Sequence, residues 1–100
     1  KTVLTFDDEI DTGGSMLAAA EAVRELGALD VYSGVTHAVL SGSAAEMVVS
    51  SSLKELVATD TVPLDKRKLD GKITILSVAP LLGEAINRIH KGLSVGSLFT

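Results

Sequence analysis

Short apolar segments alternate with amphipathic segments along the chain, and this alternation predicts strands followed by helices. The apolar run Val3–Phe6 ends at the acidic cluster Asp7–Glu9, which is typical of a buried strand that leads into a loop. A second run, Val31–Thr36, is rich in β-branched residues and is also predicted to be a strand. Two further strands are expected at Leu56–Ala58 and Ile73–Val78.

Apolar residues at helical spacing predict three helices between and after these strands. The first helix ends before Gly27, in the position where glycine commonly stops a helix. The second begins with the capping-box pattern of Ser43 and Glu46 and runs to about Ser51. The third has Pro80 in its first turn and ends at Gly92. The apolar faces of the first and third helices consist of Met16, Ala19, Ala20, Val23 and Leu26, and of Leu82, Ala85, Ile86 and Ile89.

This order of elements predicts an α/β fold with a largely parallel sheet that is flanked by helices on both faces. The 100 residues suffice for one domain or a piece of one. Because the segment Lys1–Phe6 already reads as a strand, we expect the chain to be a fragment. With only two Phe, one Tyr and no Trp, the core must be aliphatic.

Charge and cysteine content exclude several classes of function. The net charge is −4, and the one basic run, Lys66–Lys68, is flanked by Asp65 and Asp70, so no nucleic-acid surface is expected. The absence of cysteine excludes disulfides and thiolate metal sites and fits a cytoplasmic protein. No apolar run reaches about 18 residues, so no membrane-spanning helix is expected.

The segment Asp7–Ser15 lies between the first strand and the first helix, where open α/β sheets bind ligands. Its second half, Thr12–Ser15, combines glycines with a helix N-terminus, whose amides and dipole favour a phosphate. Its first half differs, because Asp7 and Asp8 would repel a phosphate. These carboxylates accept hydrogen bonds from sugar hydroxyls, and they can bind Mg²⁺ directly or through water. A sugar phosphate satisfies both halves; the alternative is a plain Gly13–Gly14 turn with a capping serine.

The same segment, Asp7–Ser15, closely resembles the phosphoribosyl pyrophosphate loop of phosphoribosyltransferases and phosphoribosyl pyrophosphate synthetases. Four further segments resemble the synthetases: Thr36–Ala44, Asp60–Leu64, Leu76–Ile86 and Ser94–Phe99. The chain therefore resembles the C-terminal portion of a ribose-phosphate diphosphokinase, a partial type I phosphoribosyltransferase-like domain without its N-terminal domain.

This resemblance implies an enzyme that transfers diphosphate from ATP to C1 of ribose 5-phosphate, with Mg²⁺, and releases AMP. The segments that bind ATP and carry catalysis are expected outside these residues, so no catalytic residue is assigned here and the isolated chain is expected to be inactive. A homo-oligomer is expected. By position in the motif, the ribose hydroxyls are assigned to Asp7 and Asp8, and the 5-phosphate to Asp11, Thr12, Gly13, Gly14 and Ser15.

The C-terminal tail resembles a regulatory site for phosphate or ADP at a subunit interface. Ser94 and Phe99 match that pattern, whereas Gly96 stands where serine is common, which puts regulation in doubt. Simple packing of the tail is the alternative.

Two other functions remain open from the sequence. One is a phosphoribosyltransferase that uses the same loop, although the segments Thr36–Ala44 and Leu76–Ile86 favour the synthetases. The other is a non-catalytic regulatory homologue that binds a sugar phosphate. His37 is interpreted as holding a loop by hydrogen bonds rather than as a general acid or base. Asp60 is expected to order its own turn, and Glu84 and Arg88 to form a helix ion pair.

Overall fold

The computed structural model describes residues 1–99, which form a four-stranded sheet with three α-helices. All neighbouring strands are parallel, and the strand order is β1-β2-β3-β4. The α/β class is as the sequence predicts, and two single-turn 3-10 helices at Lys66–Leu69 and Gly96–Phe99 complete the described elements. In chain order the elements are β1 (Thr2–Ile10), α1 (Gly14–Glu25), β2 (Asp30–Ala38), α2 (Ala44–Ser50), β3 (Glu55–Thr59), β4 (Ile73–Leu76) and α3 (Ala79–His90).

The first two strands are longer than the hydrophobic pattern indicates. Asp7 pairs with Val35 and Ile10 pairs with Ala38, so β1 continues four residues beyond Phe6. The prediction that the acidic cluster begins a loop is therefore wrong. Strand pairing satisfies backbone N–H and C=O groups whatever the side chains are, so polar residues can extend a strand beyond its apolar part.

The core lies on one face of the sheet. Alternate residues of the two central strands, β2 and β3, are buried there against α1 and α2. One buried polar side chain, Ser33, shares this face, and its hydroxyl is 2.6 Å from the Thr5 hydroxyl. The principal core residues are Val31, Val35, Leu56 and Ala58 of the sheet, with Met16, Ala20, Val48 and Leu69 from the connections.

The predicted class, a parallel sheet flanked by helices, is confirmed. The expectation that helices cover both faces is wrong, because the other face is half-buried on β2 and β3 and exposed on β1. Leu4 and Phe6 of β1 are 61% and 79% exposed, and α3 has no buried residue. The strand order explains this result. Parallel connections are right-handed, and strands that advance in one direction across a sheet place every connection on the same face. Covering the second face would require a reversal of strand order.

The predicted boundaries of the three helices are confirmed, and one predicted side-chain cap is absent. Gly27 and Gly92 follow α1 and α3 with φ of +104° and +72°, the left-handed conformation of a helix stop. The capping box at Ser43 is absent, because this residue has a turn conformation (φ −92°, ψ 14°) and its side chain caps no amide. The amide of Ala44 donates instead to the Ser41 carbonyl oxygen at 3.1 Å.

The helices of this structure are short relative to a bilayer. Within residues 1–99, none combines the length and the apolar character that crossing a membrane requires.

Candidate functional site

A depression of about 280 Å³ lies where β1 ends and α1 begins. It is lined by one continuous segment, residues 7–16, so both halves of the predicted sugar-phosphate segment face the same space. The seven predicted binding residues, Asp7, Asp8, Asp11, Thr12, Gly13, Gly14 and Ser15, all lie in its lining.

The half of the depression that is predicted to bind phosphate is an uncapped helix N-terminus. Gly13 is the N-cap of α1 with φ +88°, a left-handed conformation that favours glycine, and no side chain caps the helix. The first intrahelical bond runs from the Leu17 amide to the Gly13 carbonyl oxygen at 3.0 Å. The amides of Gly14, Ser15 and Met16 precede it and are therefore donors without an intrahelical acceptor. Such donors and the helix dipole together favour an anion.

The structure corrects one detail of the alternative in which this segment is a plain turn with a capping serine. Ser15 lies inside the first turn of α1, and the capping position belongs to Gly13. Ser15 is therefore not a plain helix cap, and its exposed hydroxyl borders the depression. At Gly14, no atom lies within 4 Å of the place where a Cβ would be, so the backbone is open to close approach.

The acidic half of the depression is part of β1. Oδ1 of Asp7 accepts a hydrogen bond from the Asp8 amide at 2.8 Å, and Oδ1 of Asp8 accepts one from the Glu9 amide at 2.9 Å. Hydrogen bonding with the Asp7 side chain and with the Glu9 amide lowers the pKa of Asp8, and the nearby imidazole of His37 adds to this effect. Asp8 is thus held as a carboxylate, the form that accepts sugar hydroxyls.

Two adjacent, exposed carboxylates fit one part of a Mg²⁺ site. Oxygen ligands are those that Mg²⁺ prefers, and it is commonly held by one or two carboxylates together with water and substrate phosphates. No cluster of three or more potential protein ligands occurs within residues 1–99. Asp7 and Asp8 therefore fit an ion shared with a substrate, rather than one enclosed by this part of the protein.

The connection between β2 and α2 supports the depression, and its Ser41 is not among the binding residues predicted from the sequence. The amides of Val39 and Leu40 donate to the Ile10 carbonyl oxygen, and Ser41 donates to Asp11 through both its amide and its hydroxyl. Pairing of β1 with β2 places the carboxyl ends of both strands at one edge of the sheet. That adjacency is the signal by which Ser41 could have been found from the sequence.

His37 has the structural role that the sequence indicates. Its Nδ1 lies 2.7 Å from Oγ1 of Thr61, which in turn donates to the carbonyl oxygen of Thr36 at 3.0 Å. The imidazole therefore ties the end of β2 to the connection between β3 and β4. Asp60 differs from expectation, because its carboxylate accepts the Val78 amide at 2.8 Å and so fixes the start of α3 rather than its own turn.

The tail residues are held by α3. Nε of Arg88 lies 3.0 Å from Glu84 Oε1, which confirms the predicted helix ion pair. Nη1 of Arg88 donates to the carbonyl oxygen of Ser94 at 3.2 Å and to the hydroxyl of Ser97 at 2.7 Å. The ring of Phe99 is 75% exposed. Of the two predicted regulatory residues, Ser94 is thus hydrogen-bonded to α3, whereas Phe99 presents its ring to solvent.

Comparison with known proteins places the whole chain in one group. The family model of the phosphoribosyl synthetase-associated domain matches residues 1–100. A ribose-phosphate pyrophosphokinase of Caldanaerobacter subterraneus subsp. tengcongensis is 51% identical over 100 residues, which are 100% of this chain and 32% of the relative. That of Oceanobacillus iheyensis is 54% identical over 99 residues, which are 99% of this chain and 31% of the relative.

A solved structure is similar as well. The crystal structure of phosphoribosylpyrophosphate synthetase from Mycobacterium smegmatis superposes with a TM-score of 0.87 at 38% sequence identity. The superposition covers 92% of this chain and 31% of that protein. The chain therefore spans about a third of the length of the relatives that it matches.

Proposed function

The chain belongs to the ribose-phosphate pyrophosphokinase family, and from this premise we propose that it forms the ribose 5-phosphate-binding part of such an enzyme. The reaction proposed for the whole protein is the transfer of diphosphate from ATP to C1 of ribose 5-phosphate, which gives phosphoribosyl pyrophosphate and AMP. One observation carries the proposal. A single depression combines an uncapped helix N-terminus with two exposed carboxylates, which suits a ligand that has a phosphate at one end and hydroxyls at the other.

The phosphate is proposed to bind at the start of α1. The amides of Gly14, Ser15 and Met16 would donate to its oxygens, and the hydroxyls of Thr12 and Ser15 would add two donors. No Lys or Arg lines the depression, so the backbone and the helix dipole supply the attraction. The Asp11 carboxylate is hydrogen-bonded to Ser41, which leaves the backbone of Asp11 as its contribution to phosphate binding.

The ribose is proposed to bind at the end of β1. Asp7 and Asp8 each use one oxygen for a backbone amide, and the remaining lone pairs can accept the sugar hydroxyls. The same carboxylates would help to hold Mg²⁺, which when bound neutralises phosphate charge during diphosphate transfer. The contribution of these residues is orientation, because the sugar and its phosphate are held at two fixed points.

ATP binding and catalysis are proposed to depend on other segments of the whole protein, which correspond to the two-thirds of the relatives' length that this chain does not span. ATP would bind through those parts, so the chain alone is expected to release no AMP from ATP, Mg²⁺ and ribose 5-phosphate. The expected position at the C-terminus of a longer protein has no support from the comparisons and stays a prediction. The same holds for a partial phosphoribosyltransferase-like domain, a homo-oligomer, a cytoplasmic location and regulation by phosphate or ADP through Ser94 and Phe99.

The proposal is tested by titrating the ¹⁵N-labelled chain with ribose 5-phosphate and Mg²⁺ while following the amides of Gly13, Gly14 and Ser15. Free ribose, which lacks the phosphate, is the matched ligand control. We expect shifts confined to residues 7–16 with ribose 5-phosphate and much weaker shifts with ribose. Unchanged loop amides in a well-dispersed spectrum would refute the proposal.

A variant pair locates the sugar end of the site. We expect Asp8→Asn to weaken ribose 5-phosphate binding about tenfold, because hydrogen bonds to a charged acceptor are the stronger ones. Glu25→Gln, at the opposite end of α1, removes one exposed carboxylate outside the depression and serves as the control. Equal affinities for the two variants would exclude Asp8 from the site.

A further inference from the structure

The connection between β2 and α2 is hydrogen-bonded to the connection between β1 and α1 at three successive residues. The amides of Val39 and Leu40 both donate to the Ile10 carbonyl oxygen, at 3.0 and 3.1 Å. The amide of Ser41 donates to the Asp11 carbonyl oxygen at 3.0 Å, and the Ser41 hydroxyl donates to the Asp11 carboxylate. Ser41 thereby holds both the backbone and the side chain of Asp11.

This contact matters because of the charge on Asp11. The Asp11 carboxylate borders the same depression as the amides at the start of α1, and a free carboxylate there would compete with a bound anion for those donors. It would also repel that anion. The Ser41 hydroxyl engages one carboxylate oxygen, and a hydrogen bond to an ionised acceptor is stronger than a neutral one. Ser41 thus restrains the one acidic side chain adjacent to the phosphate half of the depression.

The backbone around Ser41 is shaped for this contact. Leu40 has φ +50° and Gly42 has φ +59°, so left-handed residues flank Ser41 on both sides. A left-handed leucine is uncommon and persists where its surroundings fix it. The first residue of α2, which follows this connection, also lies beside the N-cap of α1, since a Cβ on Gly13 would be in ordinary van der Waals contact with the Cβ of Ala44, at 3.8 Å.

We infer that Ser41 is a positioning residue for the sugar phosphate, an inference that rests on the proposed function. It acts through Asp11 and does not touch the ligand. By holding Asp11, it keeps the start of α1 in the conformation that leaves three amides open. None of the predicted binding residues has this role, and Ser41 lies on a different connection from all of them.

Three variants of the chain test the inference. Ser41→Ala removes the hydroxyl, Ser41→Thr keeps it, and Ser43→Ala removes the hydroxyl of a neighbouring serine that caps no amide. The first measurement is the hydrogen-exchange protection of the Leu40 and Ser41 amides without ligand, with the buried strand residue Val35 as an internal standard. The second is the dissociation constant of ribose 5-phosphate.

We expect Ser41→Ala to lower the protection of the Leu40 and Ser41 amides about three- to tenfold and to weaken ribose 5-phosphate binding by a similar factor. Val35 protection should not change, Ser41→Thr should restore both properties, and Ser43→Ala should behave as the parent chain. The inference is overturned if Ser41→Ala matches Ser43→Ala in protection. It is also overturned if all amides lose protection equally, or if protection falls while affinity stays.

The exchange measurement separates this inference from the function on which it rests. If the parent chain does not bind ribose 5-phosphate, the proposed function fails. The hydrogen-exchange protection of the Leu40 and Ser41 amides, measured without ligand, still decides whether the Ser41 hydroxyl holds the β1–α1 and β2–α2 connections together.

Discussion

The ring of Phe6 lies over Gly34 on the adjacent strand, so that a Cβ built on Gly34 would be 2.9 Å from Cδ1 of the ring. The two residues are also register partners in the parallel pairing of β1 with β2. Glycine at this place leaves room for an aromatic ring on the open face of the sheet.

This relationship predicts coupling between the two positions. Gly34→Val should displace the ring of Phe6 from the sheet and so lower the free energy of unfolding. In a Phe6→Ala background the same substitution should raise the free energy of unfolding, because valine favours strands. A double-mutant cycle measured by urea unfolding should therefore give a coupling free energy of about 1 kcal/mol. Thr74→Val, in the same row of the sheet but on β4, serves as the control and should be additive with Phe6→Ala. A Gly34 cycle that is equally additive would contradict the prediction.

The two glycines at the start of α1 should respond differently to alanine. Gly13 has φ +88°, so Gly13→Ala should lower the free energy of unfolding by about 1–2 kcal/mol through backbone strain. Gly14 is helical with no atom near its missing Cβ, so Gly14→Ala should raise the free energy of unfolding by about 0.5–1 kcal/mol. Urea unfolding of both variants checks this, and opposite signs are the required result.

Lys72 is predicted to stabilise the end of α2. Its Nζ donates to the carbonyl oxygen of Ser51 at 2.9 Å and lies 3.5 Å from that of Val48, and a cation at this end also favours the helix dipole. Lys72→Met should therefore lower the free energy of unfolding by about 1 kcal/mol. Lys54→Met is the control, because Lys54 has only an exposed ion pair with Asp30 at 4.0 Å. Similar losses in the two variants would argue against capping by Lys72.

Acid should weaken the contact between Asp60 and the start of α3. The Val78 amide, and after it the Ser77 hydroxyl, lower the pKa of Asp60 by hydrogen bonding to the carboxylate. A pKa that is lower in the folded state stabilises the protein above the unfolded-state pKa, and that stabilisation is lost as pH falls through the folded-state pKa. The affected range therefore lies below about pH 4.

An NMR titration of the Asp60 carboxyl group measures this shift directly. We expect a midpoint below the ordinary value for aspartate, and a midpoint closer to that value in Ser77→Ala. The Val78 amide resonance should move with the same midpoint, because it reports the hydrogen bond. Titration of Asp60 at its ordinary pKa in the parent chain would disprove the contact.

Local patterns predicted the kind and order of the elements, and they failed where distant residues decide the outcome. The helix ends at Gly27 and Gly92 follow from the conformational freedom of glycine, which is a property of one residue. The burial of only one face of the sheet does not follow from any single residue, because it depends on the order in which four strands lie side by side. A hydrophobic pattern shows that Phe6 and Leu4 are apolar without showing what covers them.

In the candidate site, too, the features set by neighbouring residues are predictable from the sequence, whereas those set by distant residues are not. The segment Asp7–Ser15 could be identified as a candidate site from the sequence, because its glycines, hydroxyls and carboxylates are contiguous and each residue type suggests a direct chemical role. Ser41 was missed because it is 30 positions from Asp11 along the chain. The predicted end of the first strand at Phe6 is too early, because an apolar run marks only the apolar part of a strand, whereas strand length is set by backbone pairing with β2.

The extension of β1 to Ile10 has a thermodynamic consequence for recognition. Because Asp7 and Asp8 lie within β1, which pairs with β2, the backbone of the half that we propose to bind the sugar is already ordered when a ligand arrives. Binding then requires little loss of backbone conformational entropy at that end, and the entropic cost is limited to side-chain rotations and the short segment Asp11–Gly13. Substitutions that fray the last pairs of β1 should therefore reduce affinity through entropy, even though they remove no atom that touches the ligand.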